Sequence, residues 1–75
     1  MSRVETSKTT GQVDVVPREV LERVAGELRR HGVRARVRPD YRGIPDLYID
    51  YDDMGLLDKL CDEKKLSKEA EELLC

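Results

Sequence analysis

The clearest pattern of apolar positions lies in residues 17–31. The apolar residues that recur there every three or four positions are Val20, Leu21, Val24, Ala25 and Leu28. This spacing predicts one apolar stripe on an amphipathic helix. Pro17 suits the first helical turn, because the amide it lacks would have no partner within the helix. Gly32 follows as a C-terminal cap, and Val33 is placed to contact Leu28 in a Schellman ending. The pattern predicts a helix over residues 17–31.

Two later segments, residues 33–38 and 46–51, alternate strictly between apolar and polar residues. Alternation of this kind is typical of strands that bury one face. The segment between them, residues 39–45, is rich in turn-forming residues. The three segments together predict an antiparallel hairpin.

One register of this hairpin satisfies both faces. The polar pairs in that register are Arg38 with Asp46, Arg36 with Tyr48 and Arg34 with Asp50. The apolar pairs are Val37 with Leu47, Ala35 with Ile49 and Val33 with Tyr51. A slip by one residue would turn one strand's apolar side chains to the opposite face. We therefore predict this register, with Arg36 stacked over the Tyr48 ring.

The chain before the first helix carries weaker signals. Alternation over residues 12–16, opened by Gly11, predicts a first strand. Residues 1–10 are polar and predict a disordered arm. A short edge strand is the alternative there, because Thr and Val favour strands.

After Asp52 and Asp53 the apolar spacing becomes helical again. The two apolar stripes are Leu56, Leu57, Leu60 and Cys61, then Leu66, Ala70, Leu73 and Leu74. On a straight helix the second stripe would be rotated by about 120° from the first. The pattern therefore predicts helices over residues 53–64 and 67–74, or one kinked helix. The expected N-caps are Asp52 or Asp53 for the first helix and Ser67 for the second.

The element order is thus β-α-β-β-α(-α), typical of the α+β class. We expect a single small domain over residues 11–75. Its three-stranded mixed sheet would contain the antiparallel hairpin, with the helices packed on it.

Composition narrows the class of protein. The 75 residues suffice for one domain, and no apolar run is long enough to span a membrane. With no signal-peptide pattern, we expect a cytoplasmic protein. Two cysteines do not make a disulfide framework, so we expect reduced thiols, with one intrachain bond as the alternative. Charged residues make up 40% of the chain, with no Asn and a single Gln, a bias also seen in heat-adapted proteins.

Charge is distributed unevenly along the chain. Residues 1–45 carry ten basic and six acidic side chains, whereas residues 46–75 carry four basic and ten acidic ones. Such asymmetry indicates either a partner of one charge sign or pairing between the two parts of the chain.

The acidic part suggests the leading hypothesis, a small non-enzymatic interaction or regulatory domain that binds another protein. The candidate protein-binding residues are Asp46, Asp50, Asp52, Asp53, Asp58 and Asp62. The Leu-rich C-terminal helices offer an alternative, self-association as a homodimer subunit.

The arginine-bearing strand suggests a weak nucleic-acid-binding module as a further alternative. Arginines would contact phosphates, and tyrosines would stack on bases. The candidate residues are Arg34, Arg36, Arg38, Arg42, Tyr41 and Tyr48. Neutralisation of the arginines by Asp46 and Asp50 across the hairpin is the competing structural interpretation.

No catalytic or cofactor motif is found in the sequence. Asp50, Asp52 and Gly55 match the first, third and sixth positions of a calcium loop, but Met54 and Cys61 occupy positions that need oxygen ligands. His31 has no nucleophile or second base nearby in sequence. We therefore expect no enzyme activity, no cofactor and no metal site.

Overall fold

The computed structural model describes residues 5–7 and 16–75 of the chain. Within these ranges the strands are β1 (Glu5–Ser7), β2 (Ala35–Pro39) and β3 (Pro45–Asp50). The α-helices are α1 (Arg18–Arg30), α2 (Met54–Asp62) and α3 (Lys68–Leu74), and a 3₁₀ turn, Tyr51–Asp53, joins β3 to α2. The protein is a small α+β domain built on an antiparallel hairpin and three helices.

Helix α1 forms where the apolar stripe predicts it, one residue shorter at each end. Pro17 precedes the first helical residue, and its carbonyl accepts the N–H groups of Val20 and Leu21 at 3.1 and 3.2 Å. At the other end Gly32 adopts φ 89°, a value that favours glycine. The Val33 N–H then donates to the Leu28 carbonyl at 2.9 Å, which completes the predicted Schellman ending.

The β2–β3 hairpin has the predicted register. The paired residues are Ala35 with Ile49, Arg36 with Tyr48, Val37 with Leu47, and Arg38 with Asp46. The Asp50 N–H donates to the Arg34 carbonyl at 3.0 Å, which continues the pairing beyond the strand. The pairing of Val33 with Tyr51 was wrong, since the chain turns into the 3₁₀ helix at Tyr51.

Strand β1 lies within residues 1–10, of which the structure describes only residues 5–7. Glu5–Ser7 pairs antiparallel with β3, so these residues form the edge strand that was the alternative to a disordered arm. An extended segment fits there because the second edge of β3 offers unpaired backbone groups. Residues 12–15 of the predicted first strand lie outside the described residues, and Val16 belongs to no strand. The three-stranded mixed sheet with that strand is therefore not confirmed; the described pairings are antiparallel.

A single apolar core unites the hairpin with all three helices. Its buried members are Leu21, Val24, Ala25, Leu28, Val33, Ala35, Leu47, Ile49, Leu57, Leu60, Leu66 and Ala70. The apolar stripes of α2 and α3 both reach this core because the chain bends between the two helices. None of the described helices is both long and apolar enough to cross a membrane.

The predicted break between the C-terminal helices is confirmed. Lys64 adopts φ 54° after α2, and the Lys65 N–H returns to the Leu60 carbonyl at 3.0 Å. Ser67 caps α3 by accepting the Ala70 N–H at 3.3 Å. A left-handed residue followed by a new N-cap reverses the chain more sharply than a kink would.

Asp53 occupies the N-cap position of α2, as predicted. The Asp53 side chain makes no cap bond to α2. Asp50 instead caps the 3₁₀ turn, where its carboxylate accepts the Asp52 N–H at 3.0 Å. The Asp53 carboxylate instead accepts hydrogen bonds from Arg34, the residue before β2.

Cys61 and Cys75 form a disulfide, contrary to the expectation of reduced thiols. The bend between the helices brings the two Cα atoms to 6.0 Å, a separation that a disulfide spans. The bond fastens the last residue of the chain to α2. The sequence offers no local sign of it, because the contact depends on the chain reversal.

Reducing this disulfide should lower the free energy of unfolding by about 3 kcal/mol, because it opens a loop of about 15 residues in the unfolded chain. The measurement is urea unfolding with and without a reductant. The Cys75→Ser variant is the control, since its transition should not respond to the reductant. Identical transition midpoints for oxidised and reduced wild-type protein would contradict the expectation.

Candidate functional site

Three arginines of the hairpin lie together on the sheet face that points away from the core. Arg34, Arg36 and Arg38 each leave about half of the side chain exposed. Alternation along β2 places them there, since the residues between them pack into the core. Arg34, Arg36 and Arg38 therefore share one face of the sheet, as predicted.

Glu5 of strand β1 holds two of these arginines. Its carboxylate lies 2.9 Å from a guanidinium nitrogen of Arg38 and 3.6 Å from Nε of Arg36. The Glu5 side chain is only 12% exposed. One carboxylate thus bridges two arginines of β2, although β3 lies between β1 and β2. The sequence analysis missed Glu5, because its position opposite the hairpin depends on long-range strand pairing.

Tyr48 lies among the arginines on β3. The Arg38 guanidinium sits 5.1 Å from the centre of the Tyr48 ring. The cation–π contact predicted between Arg36 and Tyr48 is therefore made by Arg38 instead. Arg38 reaches the ring diagonally, as long side chains do across a ladder.

Arg34 is fastened to the turn after β3. Its Nε donates to Asp53 at 2.9 Å, and its backbone N–H donates to the same carboxylate oxygen at 2.9 Å. A second guanidinium nitrogen lies 3.6 Å from Asp50. The hydrogen bond to Asp53, and then the charge of Asp50, raise the pKa of Arg34. Arg34 is thereby a structural cation that joins β2 to the 3₁₀ turn.

The six candidate aspartates divide into two groups. Asp46 and Asp50 are 1% and 4% exposed, and Asp53 is half-buried against Arg34. The Asp46 carboxylate accepts the Leu47 N–H at 2.8 Å. These three carboxylates belong to the fold. The second group, Asp52, Asp58 and Asp62, is exposed.

The exposed aspartates share a segment with two exposed apolar side chains. Tyr51 is 63% exposed and Leu56 is 37% exposed. The inner side of α2, with Leu57 and Leu60, is buried at the same time. We call residues 51–62 the α2 segment. No carboxylate of its three exposed aspartates makes an ion pair with another described residue.

The exposure of Tyr51 and Leu56 differs from the sequence expectation. The sequence analysis placed both side chains on the apolar face of a predicted strand or helix. Tyr51 instead follows the last residue of β3, and Leu56 lies beside the buried side of α2. Leu56 covers Gly32, where a Cβ atom would lie 3.9 Å from Leu56 Cδ2. The run of two aspartates after Tyr51 was the one available signal that this residue ends the strand.

The tip of the hairpin is organised by Asp40. Its carboxylate accepts the backbone N–H groups of Arg42 and Ile44 at 2.8 and 3.0 Å and the Arg42 guanidinium at 2.9 Å. Tyr41 is 89% exposed, with the Arg42 guanidinium 5.5 Å from its ring centre. Arg42 is therefore held by its own loop.

His31 is exposed just after the end of α1. Across residues 5–7 and 16–75, no group of three or more His, Cys, Asp or Glu residues is placed to hold a metal ion.

Fold and surface together define a small α+β domain with an acidic and apolar helical segment. No family model matches this chain, and neither a curated protein nor a solved structure shows a significant match to it. Function is therefore argued from the geometry of the chain's own residues.

Acidification should loosen the hairpin tip. Removal from water raises the pKa of the Asp40 carboxyl, but hydrogen bonds from Arg42 and Ile44 outweigh this, so the pKa lies below its ordinary value of 3.8. A lowered pKa in the folded state contributes stability that is present above the ordinary value and is lost as the pH falls through the lowered one. The loop amides should therefore keep their NMR shifts down to about pH 4 and move below it.

Asp40→Asn is the matched variant for this titration, because an amide keeps the size of the side chain without its charge. The variant should lose the acidic transition at the Gly43 amide. A transition that persists unchanged in Asp40→Asn would assign the titration to another carboxylate.

Proposed function

We propose that the protein is a small non-enzymatic interaction domain that binds another protein through the α2 segment. The observation that carries the proposal is the exposure of Tyr51 and Leu56 beside Asp52, Asp58 and Asp62. Aromatic and large apolar side chains supply most of the binding energy at protein interfaces.

The charges around these apolar side chains indicate the partner's chemistry. The α2 segment has three exposed aspartates and one exposed cation, Lys59. A complementary surface would present an apolar pocket for Tyr51, rimmed by Lys or Arg. Opposite charges at the rim accelerate association and favour the correct orientation more than they strengthen the complex.

Rigidity of the α2 segment supports the proposal. The segment is anchored to the core by Leu57 and Leu60, to β2 by the Asp53–Arg34 contact, and to α3 by the disulfide of Cys61. A surface held in this way loses little conformational freedom when it binds.

The nucleic-acid alternative has a specific observation in its favour, the clustering of Arg34, Arg36 and Arg38 on one face. The same face carries Glu5 and Asp50, which pair with those arginines. Phosphates would have to displace these carboxylates, and the screening at physiological salt weakens such exchange. Protein binding through the α2 segment is therefore the stronger proposal.

Self-association through the C-terminal helices has less support. Leu66 and Ala70 are buried in the core, and Leu73 and Leu74 pack against it. The apolar stripe of α3 is thus used within the chain.

Replacing Tyr51 by Ala should weaken binding to the partner by about 2 kcal/mol, or roughly 30-fold, as expected for a central aromatic anchor. Asp58→Lys with Asp62→Lys should mainly slow association and reverse its salt dependence. The measurement is affinity capture with each variant, followed by binding kinetics of the purified pair.

Tyr41→Ala is the matched control, because Tyr41 is also an exposed tyrosine but lies at the hairpin tip. A partner retained by Tyr41→Ala and lost by Tyr51→Ala supports the proposal. Equal retention by both variants would exclude the α2 segment. A partner lost only with Arg36→Ala and Arg38→Ala would favour the arginine face.

A further inference from the structure

Gly26 stands in the middle of α1 without a structural reason within the described chain. A glycine inside a helix costs about 1 kcal/mol relative to Ala. Its backbone does not adopt a positive φ, and a Cβ atom at this position would meet no described residue within 4 Å. Neither a turn nor a close contact with the described residues therefore requires glycine here.

Gly26 lies in an open groove of about 490 Å³ between α1 and the start of α3. Hydrogen bonds join the α3 side of the groove to α1. Arg23 of α1 binds Glu69 of α3 through two hydrogen bonds of 3.2 and 3.0 Å. Glu27 accepts the backbone N–H and the hydroxyl of Ser67 at 2.6 and 2.7 Å. These four side chains are occupied by contacts between the two helices.

Two further charged residues flank the glycine at equal distances. Glu22 precedes Gly26 by four residues, and Arg30 follows it by four. Residues four apart form a ridge along the helix, each step rising by about 6 Å. Arg30 is exposed and makes no ion pair among the described residues. Glu22 has only an exposed contact of 3.4 Å with Arg18, a kind of pair that contributes little.

This ridge is complementary to itself. A two-fold axis through Gly26 places Glu22 of one copy against Arg30 of the other, and the reverse pair follows by symmetry. Ridges of this spacing interdigitate in the commonest class of helix packing, and a glycine at the crossing point lets the two backbones approach closely. An isolated anion or cation finds no such match, because the groove carries both signs.

We propose that two copies of this chain associate through α1, with the helices crossing at Gly26 and joined by two Glu22–Arg30 ion pairs. The occupant of the groove is thus a second copy of the chain. This surface shares no residue with the α2 segment, so the inference is independent of the proposed function.

Sedimentation equilibrium of the full chain at low and physiological salt tests the proposal. Wild-type protein should dimerise with rising concentration, and more strongly at low salt. Glu22→Arg and Arg30→Glu should each weaken dimerisation by about tenfold, because both symmetry-related pairs become repulsive. The double variant should recover the wild-type association, since the axis again sets opposite charges against each other.

Gly26→Leu supplies a variant whose fold is not at risk, because the space above this position is open. Its melting temperature should equal or exceed that of the wild type, while dimerisation should be lost. Glu72→Arg on α3 is the control for a change of net charge. A wild-type monomer at millimolar concentration, a dimer insensitive to Gly26→Leu, or a double variant that stays monomeric would each overturn the proposal.

Discussion

The register of the β2–β3 hairpin is the constraint on which the rest of the structure depends. In this register the aliphatic residues of both strands point to the helices, whereas the strand arginines lie on the opposite face together with Tyr48. A slip by one residue would bury arginines and expose valines. The apolar core and the charged face therefore both depend on this one register. The close packing of α1 on Ala35 and Ile49 follows from the same alignment.

Carboxylates pair with the arginines on the outer face of the sheet. The register brings carboxylates to the arginines from three separate places: Glu5 on β1, Asp50 at the end of β3 and Asp53 in the turn. Half-exposed arginines that are paired in this way stabilise the sheet and offer little free charge to a ligand. Within the described residues, the α2 segment combines exposed aspartates that make no ion pair, Asp52, Asp58 and Asp62, with the exposed side chains of Tyr51 and Leu56. The Asp53–Arg34 contact holds this segment against the hairpin. The proposed binding surface is thus separate from the paired arginines of the sheet.

The elements that depend on local signals could be predicted from the sequence. Helix α1, its glycine ending, the hairpin register and the break before Ser67 each follow from spacing and capping within a few residues. The features that the sequence did not predict depend on contacts between distant segments. Glu5 meets Arg38 through strand pairing across 33 residues, and Cys61 meets Cys75 through a chain reversal. The burial of Asp46 and Asp50 could not be read from alternation, which indicates the face of a side chain but not what covers it.

Hα–Hα nuclear Overhauser contacts across the hairpin measure its register directly. The hydrogen bond from Asp50 to the Arg34 carbonyl makes Ala35–Ile49 and Val37–Leu47 the non-hydrogen-bonded pairs, whose Cα atoms lie only about 4.5 Å apart. The account predicts strong contacts within these two pairs. Contacts displaced by one residue, such as Val37 to Tyr48, would contradict the register and with it the separation of the core from the charged face.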